Sequence, residues 1–326
     1  MPTLSDLGEF ALLERLRARL PAPSQRVWVP VGDDAAASQP ANPGDAMVST
    51  VDLLAEGVDF TAALPARSIG WKAIAVNLSD LAAMGASPRG VLIAFAAPGS
   101  TDVRWVDAFY DGVAACCREF DVDVLGGDLS GVAPGSGIHI AVTALGDAPR
   151  DRLVRRSGAR EGDLLCVTGT LGDSAAGLER IGAGARPATS DPLIARHLEP
   201  APRVTEGVAL ARAGVARAMI DVSDGLLADL GHLLDASGLG ARLETSKIPL
   251  SAALRASGAD AMRCALVGGE DFELLFAIRP EDEARARECC AFTVIGVCTK
   301  AGGTALVRAD GTLLPPPERG GFSHFR

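Results

Sequence analysis

The stretch Ser68-Ile-Gly-Trp-Lys-Ala-Ile-Ala-Val-Asn-Leu-Ser-Asp-Leu-Ala-Ala-Met84 decides how the rest of the chain is read. It predicts one long helix over 68–84, with Ile69, Ala73, Val76 and Leu81 among its apolar positions. One residue conflicts with that pattern. Asp80 stands inside an otherwise apolar segment, and a lone carboxylate is costly to bury unless it is paired or bound to a metal. Working outward, Ala46–Asp52 before the helix and Gly90–Ala97 after it read as strands. Asp102–Phe120 reads as an amphipathic helix with Thr101 as its N-cap. Strand-like and helix-like segments alternate, so the expected fold class is α/β or α+β.

The alternation runs along the whole chain. Arg26–Gly32, Val122–Leu125 and Ile138–Ala144 read as further strands. Gly146–Asp163, rich in Arg, Gly and Asp, is the expected boundary. It divides the 326 residues into two domains, 1–147 and 148–326, a comfortable division for this length. In the second half, Leu164–Thr168, Ala218–Val222, Phe272–Ile278 and Thr293–Val297 read as strands. Asp173–Ile181, Pro202–Ala213 and Ser223–Ala236 read as helices, with a loop over Gly182–Pro192. The tail from Pro315 opens on three prolines and is expected to be extended.

The net charge of −10 repels nucleic-acid phosphates at long range, so no nucleic-acid partner is expected. A small polyanion remains compatible if metal ions neutralise it locally. The seven cysteines are odd in number and form no Cys-x-x-Cys, which suits neither a disulfide framework nor a zinc site. Met1–Leu20 carries Asp6, Glu9 and Glu14, so no signal peptide is read there. Elsewhere charge interrupts the apolar stretches before membrane-spanning length. A cytoplasmic location with no membrane association is expected. No P-loop, protein-kinase signature or Gly-x-Ser-x-Gly elbow occurs.

The aspartates carry the chemistry. Asp33 and Asp34 follow Gly32, Asp52 ends a strand reading, and Asp128 follows Gly126-Gly127. Asp221 and Asp224 flank Ser223, and Glu270-Asp271 follow Gly268-Gly269. Taken singly, each is also compatible with an ordinary turn, a helix cap or, for Asp80, a solvated helix face. Taken together, carboxylates at strand ends beside glycines suit a magnesium–nucleotide site. Magnesium favours hard oxygen ligands shared with phosphates, and glycines let backbone amides approach them.

These segments resemble the thiamine-monophosphate kinases, within the superfamily of aminoimidazole ribonucleotide synthetase and selenophosphate synthetase. The matching pieces are Gly32-Asp-Asp34, Ser49-Thr-Val-Asp52-Leu-Leu-Ala-Glu-Gly57, Lys72–Ala86, Gly126-Gly-Asp128, Arg156-Ser-Gly158, Val167–Leu178, Ile220-Asp-Val-Ser-Asp-Gly-Leu226, Gly268–Leu274 and Gly321-Phe-Ser-His-Phe325. They lie in the family's order. The resemblance implies ATP-dependent, magnesium-dependent phosphorylation of thiamine monophosphate to thiamine diphosphate by direct in-line transfer. It implies an N-terminal domain whose sheet pairs with that of a second copy in a homodimer, and a C-terminal α/β domain. By matching position, Asp34, Thr50, Val51 (through its backbone), Asp52, Asp80, Asp128, Asp221 and Asp224 are expected metal ligands. Gly127, Asp128, Arg156, Ser223 and Tyr110 are expected around the ATP. Asp59, Glu270 and Phe322 are expected on the thiamine side. Asp52, Asp128, Arg156 and Asp221 are expected to carry the transfer. The chain departs from the family in having Asp59-Phe60 where many relatives have His-Phe. It also has Val51 interrupting the commoner Ser-Thr-Asp order.

Overall fold

In the computed structural model the stretch around Asp80 is helix α1, Ala66–Ala83. The structure describes residues 27–29, 33–34, 36–38, 44–315 and 320–323. Fifteen of the eighteen α1 residues are buried. A helix that is apolar on nearly every side must be enclosed on every side, and α1 is the spine around which both halves pack.

One side of α1 lies on a six-stranded sheet in the order β1-β2-β3-β6-β4-β5. The strands are β1 (Val27–Val29), β2 (Ala36–Ser38), β3 (Asp45–Ala55), β4 (Ser87–Pro98), β5 (Asp123–Val132) and β6 (His139–Pro149). β4 and β5 are parallel, and the other neighbours are antiparallel. Of the strand expected over Arg26–Gly32, only Val27–Val29 lies within the described residues. The helix expected after β4 is α2, Val103–Glu119. Its N-cap is Asp102, whose carboxylate accepts from the Arg104 amide, and not Thr101. A charged oxygen one residue nearer the first turn reaches that amide directly.

α1 and α2 meet backbone to backbone. A Cβ on Gly70 would lie 1.9 Å from the Phe109 carbonyl oxygen, and one on Gly112 would lie 1.8 Å from that of Arg67. Only glycine permits this approach, and it lets Phe109, fully buried, fill the layer beside Phe95 and Trp105. Gly70→Val is therefore expected to force the helices apart and to cost about 3 kcal/mol. A thermal melt within a degree of wild type would refute this.

The second sheet runs β13-β12-β9-β11-β7-β10-β8. These strands are β7 (Leu164–Val167), β8 (Ala216–Asp221), β9 (Gly240–Glu244), β10 (Leu274–Ile278), β11 (Thr293–Thr299), β12 (Gly303–Val307) and β13 (Leu313–Leu314). Among the described residues, the β9–β12 pairing is the parallel one in this sheet. Helices α3 (Asp173–Gly182), α5 (Val204–Ala213) and α6 (Leu226–Ser237) correspond to expected helices. Helices α4 (Pro192–Leu198), α7 (Ala252–Ala256), α8 (Ala261–Val267) and α9 (Glu283–Cys289) are too short for a clear apolar period, and the sequence reading lacked them. A core under α6 joins Leu226, Leu230, Leu233 and Leu234 to one face of this sheet. On the other face, α1 and α5 share a core in which Ala82 and Ala83 meet Leu210, Met219 and Phe276. Most of the tail expected to be extended, including 316–319 and 324–326, lies outside the described residues. No described helix is long and apolar enough to cross a membrane.

Candidate active site

The conflict posed by Asp80 is resolved where α1 passes between the two sheets. Carboxylate oxygens of Asp34, Asp80 and Asp221 all lie within 4.8 Å of one another. Asp34 precedes β2, Asp80 belongs to α1 and Asp221 ends β8, so three elements from both halves deliver one charge each. Short polar contacts fix them. Thr50 Oγ1 donates to Asp80 Oδ2 at 2.5 Å, and Ser79 Oγ donates to Asp221 Oδ2 at 2.6 Å. The Asp52 amide donates to Asn77 Oδ1 at 3.2 Å, which ties β3 to α1.

The like charges are electrostatically expensive. Burial and then Asp52, Asp221 and Asp34 hold the Asp80 carboxyl well above the ordinary carboxylate range. Burial and then Asp34 push Asp221 up to about 8, against the opposing Ser79 hydrogen bond and the Arg156 charge. Burial and then Asp59 raise Asp52 to about 6. Among the described residues, one guanidinium faces this group. Arg156 donates Nε to Asp34 Oδ2 at 2.9 Å and Nη2 to Asp34 Oδ1 at 3.0 Å, a bidentate pair, while its backbone amide donates to Asp33 Oδ1 at 3.2 Å. Burial and then the neighbouring Asp34 raise Asp33 to about 6.

Among the described residues, a single arginine against this many carboxylates leaves excess negative charge. Hard oxygens converging within ligand range, a threonine hydroxyl among them, fit a divalent cation such as magnesium. The linkage has a definite sign. Asp80 and Asp221 have folded pKa values above their unfolded ones, so the folded chain retains protons that the unfolded chain has released. That contribution to stability is fully present below about pH 4 and is lost as pH rises through about 8 for Asp221. Glu270 shifts the opposite way, but it titrates near pH 2, outside this window. The metal-free protein is therefore expected to melt at a lower temperature at pH 8.5 than at pH 6, with millimolar magnesium narrowing the gap. A Tm independent of pH across that range would count against the charge cluster.

The other expected residues fall into three groups. Asp224 and Ser223 form the loop between β8 and α6. Its Asp224 and Gly225 amides both donate to the buried Asp229 carboxylate, at 3.1 and 3.0 Å. The Phe322 amide donates to the Asp224 carbonyl at 3.0 Å, which brings the C-terminal segment to that loop with the Phe322 ring half exposed. On the facing side, Asp59 Oδ2 accepts from the Ala55 amide at 2.8 Å. Asp59, Phe60, Ser68, Lys72 and His197 line a small cavity there. Glu270 approaches the same side, with Oε1 2.6 Å from Lys72 Nζ and Oε2 3.1 Å from His197 Nδ1.

Asp52 belongs with the carboxylate cluster, as the first of the charges acting on Asp80, whereas Gly127, Asp128, Val51 and Tyr110 stand apart from it. Asp52 lies inside β3 and does not end it, because that strand continues to Ala55. Gly126-Gly127-Asp128 lies inside the edge strand β5, not in a turn after it. A Cβ on Gly127 would meet the Ile93 carbonyl oxygen at 1.9 Å, so strand contact requires the glycine. The register aligns Asp128 with Ala94 of β4, which pairs with Ala141 of β6 and so with Leu53 of β3. Residues of one row share a face, and Leu53 is on the exposed face, opposite Asp52 and α1. Asp128 is thus three strands away from Asp52, roughly 14 Å, on the other side of the sheet, with Ser130 Oγ donating to its carboxylate at 2.7 Å. Val51 also projects from that exposed face. Tyr110 is half buried on α2 against Phe109 and Phe95. Ser79, Asn77, Lys72 and His197 were absent from the sequence-based site. The first three share α1 with Asp80 and were open to suspicion as polar residues in an apolar helix. His197 sits on a short helix read as no element.

Comparisons with known proteins identify the family of both halves of the chain. Residues 32–148 match the AIR synthase related protein, N-terminal domain, and residues 160–308 match the corresponding C-terminal domain. The chain is 36% identical to the thiamine-monophosphate kinase of Haemophilus influenzae, over 98% of each chain. It is 39% identical to that of Escherichia coli K12, over 90% of each chain. Its structure superposes on that of AaThiL complexed with AMPPCP and TMP with a TM-score of 0.87, at 34% identity over 99% of each chain. The hydrogenase maturation protein HypE shares the fold at a TM-score of 0.70 and 21% identity. The chain belongs to the thiamine-monophosphate kinase family.

Proposed function

We propose that this chain transfers the γ-phosphoryl group of ATP to thiamine monophosphate, giving thiamine diphosphate and ADP. The observation that carries the reading is the convergence of Asp34, Asp80 and Asp221 between the two halves of the chain. The kinship with thiamine-monophosphate kinases along nearly the full chain supports it. A terminal phosphate oxygen of the acceptor forms a bond to the γ-phosphorus as the bond to the β-bridging oxygen breaks. Among the described residues nothing in the site resembles an activated nucleophile, so a direct transfer suits it, with positioning and charge neutralisation doing the work.

Asp34, Thr50, Asp52, Asp80, Asp221 and Asp224 are the residues that would hold magnesium. When bound, it neutralises phosphate charge and orients the oxygens. Arg156 sits at the edge of this group, and its planar fork suits phosphate oxygens that gain charge during transfer. Ser223, on the Asp229-braced loop, would contribute contacts to phosphate. Glu270, Asp59 and Phe322 offer anionic and aromatic partners to a cationic heteroaromatic acceptor.

The working form is proposed to be a homodimer in the cytoplasm. Met47, Val51, Leu53 and Leu92 expose apolar surface on the sheet face away from α1, and β5 is exposed along nearly its whole length. An exposed edge and apolar face of this kind suit a second copy. Pairing there would cover the sheet face that carries Asp128. The test is a coupled ADP-release assay with magnesium and thiamine monophosphate, with thiamine and aminoimidazole ribonucleotide precursors as alternative acceptors. Turnover with thiamine monophosphate alone is expected. Its absence in folded protein would overturn the assignment.

A further inference from the structure

Glu270 is held in an unusual way. It lies in the loop between α8 and β10 at φ +66°, in the left-handed region that side chains other than glycine seldom occupy. Its amide donates to the Ser223 carbonyl at 2.7 Å, so the strained residue is tied to the loop that carries Asp224. Backbone strain of this kind persists only where surrounding contacts over-determine it. The side chain meets two deeper partners. Lys72 and His197 side chains are 5% and 3% exposed, whereas that of Glu270 is 31% exposed. The carboxylate is therefore the member that reaches the cleft, and the two nitrogens stand behind it.

We propose that Lys72 and His197 are positioning residues for the acceptor. They fix the Glu270 carboxylate toward the cationic ring system of the substrate before it binds. This rests on the reading of the cleft as a thiamine monophosphate site. The lysine comes from α1 and the histidine from α4, so the carboxylate is aimed by both halves of the chain at once. Lys72 Nζ lies 2.6 Å from Oε1, a buried ammonium against the carboxylate. Burial favours neutral His197, with Glu270 opposing. Its Nδ1 lies 3.1 Å from Glu270 and 3.2 Å from Ser174 Oγ, which assigns the ring proton to that nitrogen. Burial alone raises the Glu270 pKa, but the Lys72 charge and the His197 hydrogen bond outweigh it and bring it down to about 2.

A free glutamate loses side-chain entropy when it is fixed against a ligand. Here that ordering precedes binding. Removing Lys72 leaves a half-buried carboxyl without its main cation, free to take up a proton or turn away, and the acceptor loses its partner.

The test is steady-state kinetics of the full-length enzyme with each substrate varied in turn. Lys72→Met, close in shape, is expected to raise KM for thiamine monophosphate roughly 10-fold or more, the scale of one charge-assisted contact. KM for ATP should move less than about 2-fold. His197→Ala should follow the same split, and His197→Asn, which keeps an N–H near the Nδ1 position, should recover most of it. If Lys72→Met folds poorly, Lys72→Gln serves, with circular dichroism reporting the fold. Wild-type turnover with an unchanged acceptor KM in the variants would overturn the inference alone. So would equal rises in both KM values with a lowered Tm, the mark of a structural brace. Failure of the wild type to use thiamine monophosphate would overturn the reading of the site and the inference with it.

Discussion

Asp80→Asn is expected to reduce turnover by at least ~10³-fold while raising the melting temperature of the metal-free protein. The loss follows from the site: one pre-placed electrostatic group is commonly worth ~10²–10³ in rate, and Asp80 lies at the centre of the charge cluster. The gain follows from the same geometry. Burial is the first cause of its raised pKa, followed by Asp52, Asp221 and Asp34. An ionised Asp80 is therefore unfavourable in the folded chain without a cation. Asparagine keeps the shape and the oxygen that accepts from Thr50 Oγ1 while removing the charge. Activity sites often trade stability in this manner. A melt of the magnesium-free protein and an ADP-release assay on one preparation check both halves. An inactive variant that is also less stable would mean that Asp80 serves the fold and not the charge cluster.

Arg156→Met is expected to lose activity on a similar scale but to move stability the other way. The Asp34 side chain is 1% exposed and Arg156 holds both of its oxygens, with the arginine side chain 25% exposed. Removing one partner of a buried pair leaves an uncompensated charge, typically a cost of ~3–5 kcal/mol. With the arginine a quarter exposed, about 2–3 kcal/mol is the expected loss after allowing for solvent screening. Magnesium should restore part of the melting temperature by supplying positive charge to the orphaned carboxylate. Arg156→Lys should fall between, because an ammonium keeps the charge but not the bidentate fork. The kcat/KM for ATP, with Tm measured at zero and saturating magnesium, checks this. A Tm of Arg156→Met equal to wild type without magnesium would show that the pair contributes nothing to the apo protein.

The opposite signs separate two roles that activity alone confuses. Asp80 adds to the repulsion that a cation relieves, and Arg156 subtracts from it. The same exchange suits the proposed chemistry, in which a guanidinium parked on Asp34 becomes available to phosphate once a cation takes over that carboxylate.

The local elements were legible because helix and strand periods are properties of neighbouring residues. Helix α1 was readable from the spacing of Ile69, Ala73, Val76 and Leu81, and β3, β4 and α2 from similar patterns. The chain also raised the question of a partner for Asp80, open beside a solvated helix face, since burying one ionised carboxylate among apolar residues is unfavourable. The family motifs added which distant residues to suspect. Short α4 and α8 escaped because 7 residues hold too little period to register. Gly126-Gly127-Asp128 resembled a turn because glycine and aspartate favour turns locally. In β5 the pairing with β4 overrides that preference.

Only the tertiary structure decided which partners meet. Asp34, Asp80 and Asp221 are brought together by packing α1 between two sheets, and no local spacing encodes that. It also revealed Ser79 beneath Asp221 and Lys72 and His197 behind Glu270, and it put Asp128 on the opposite face of its sheet from α1. The sequence by itself determined many of the local elements and posed the question of a counter-charge at Asp80. The packed structure determined where it is answered, because like charges gather only when the burial of many apolar neighbours outweighs their repulsion.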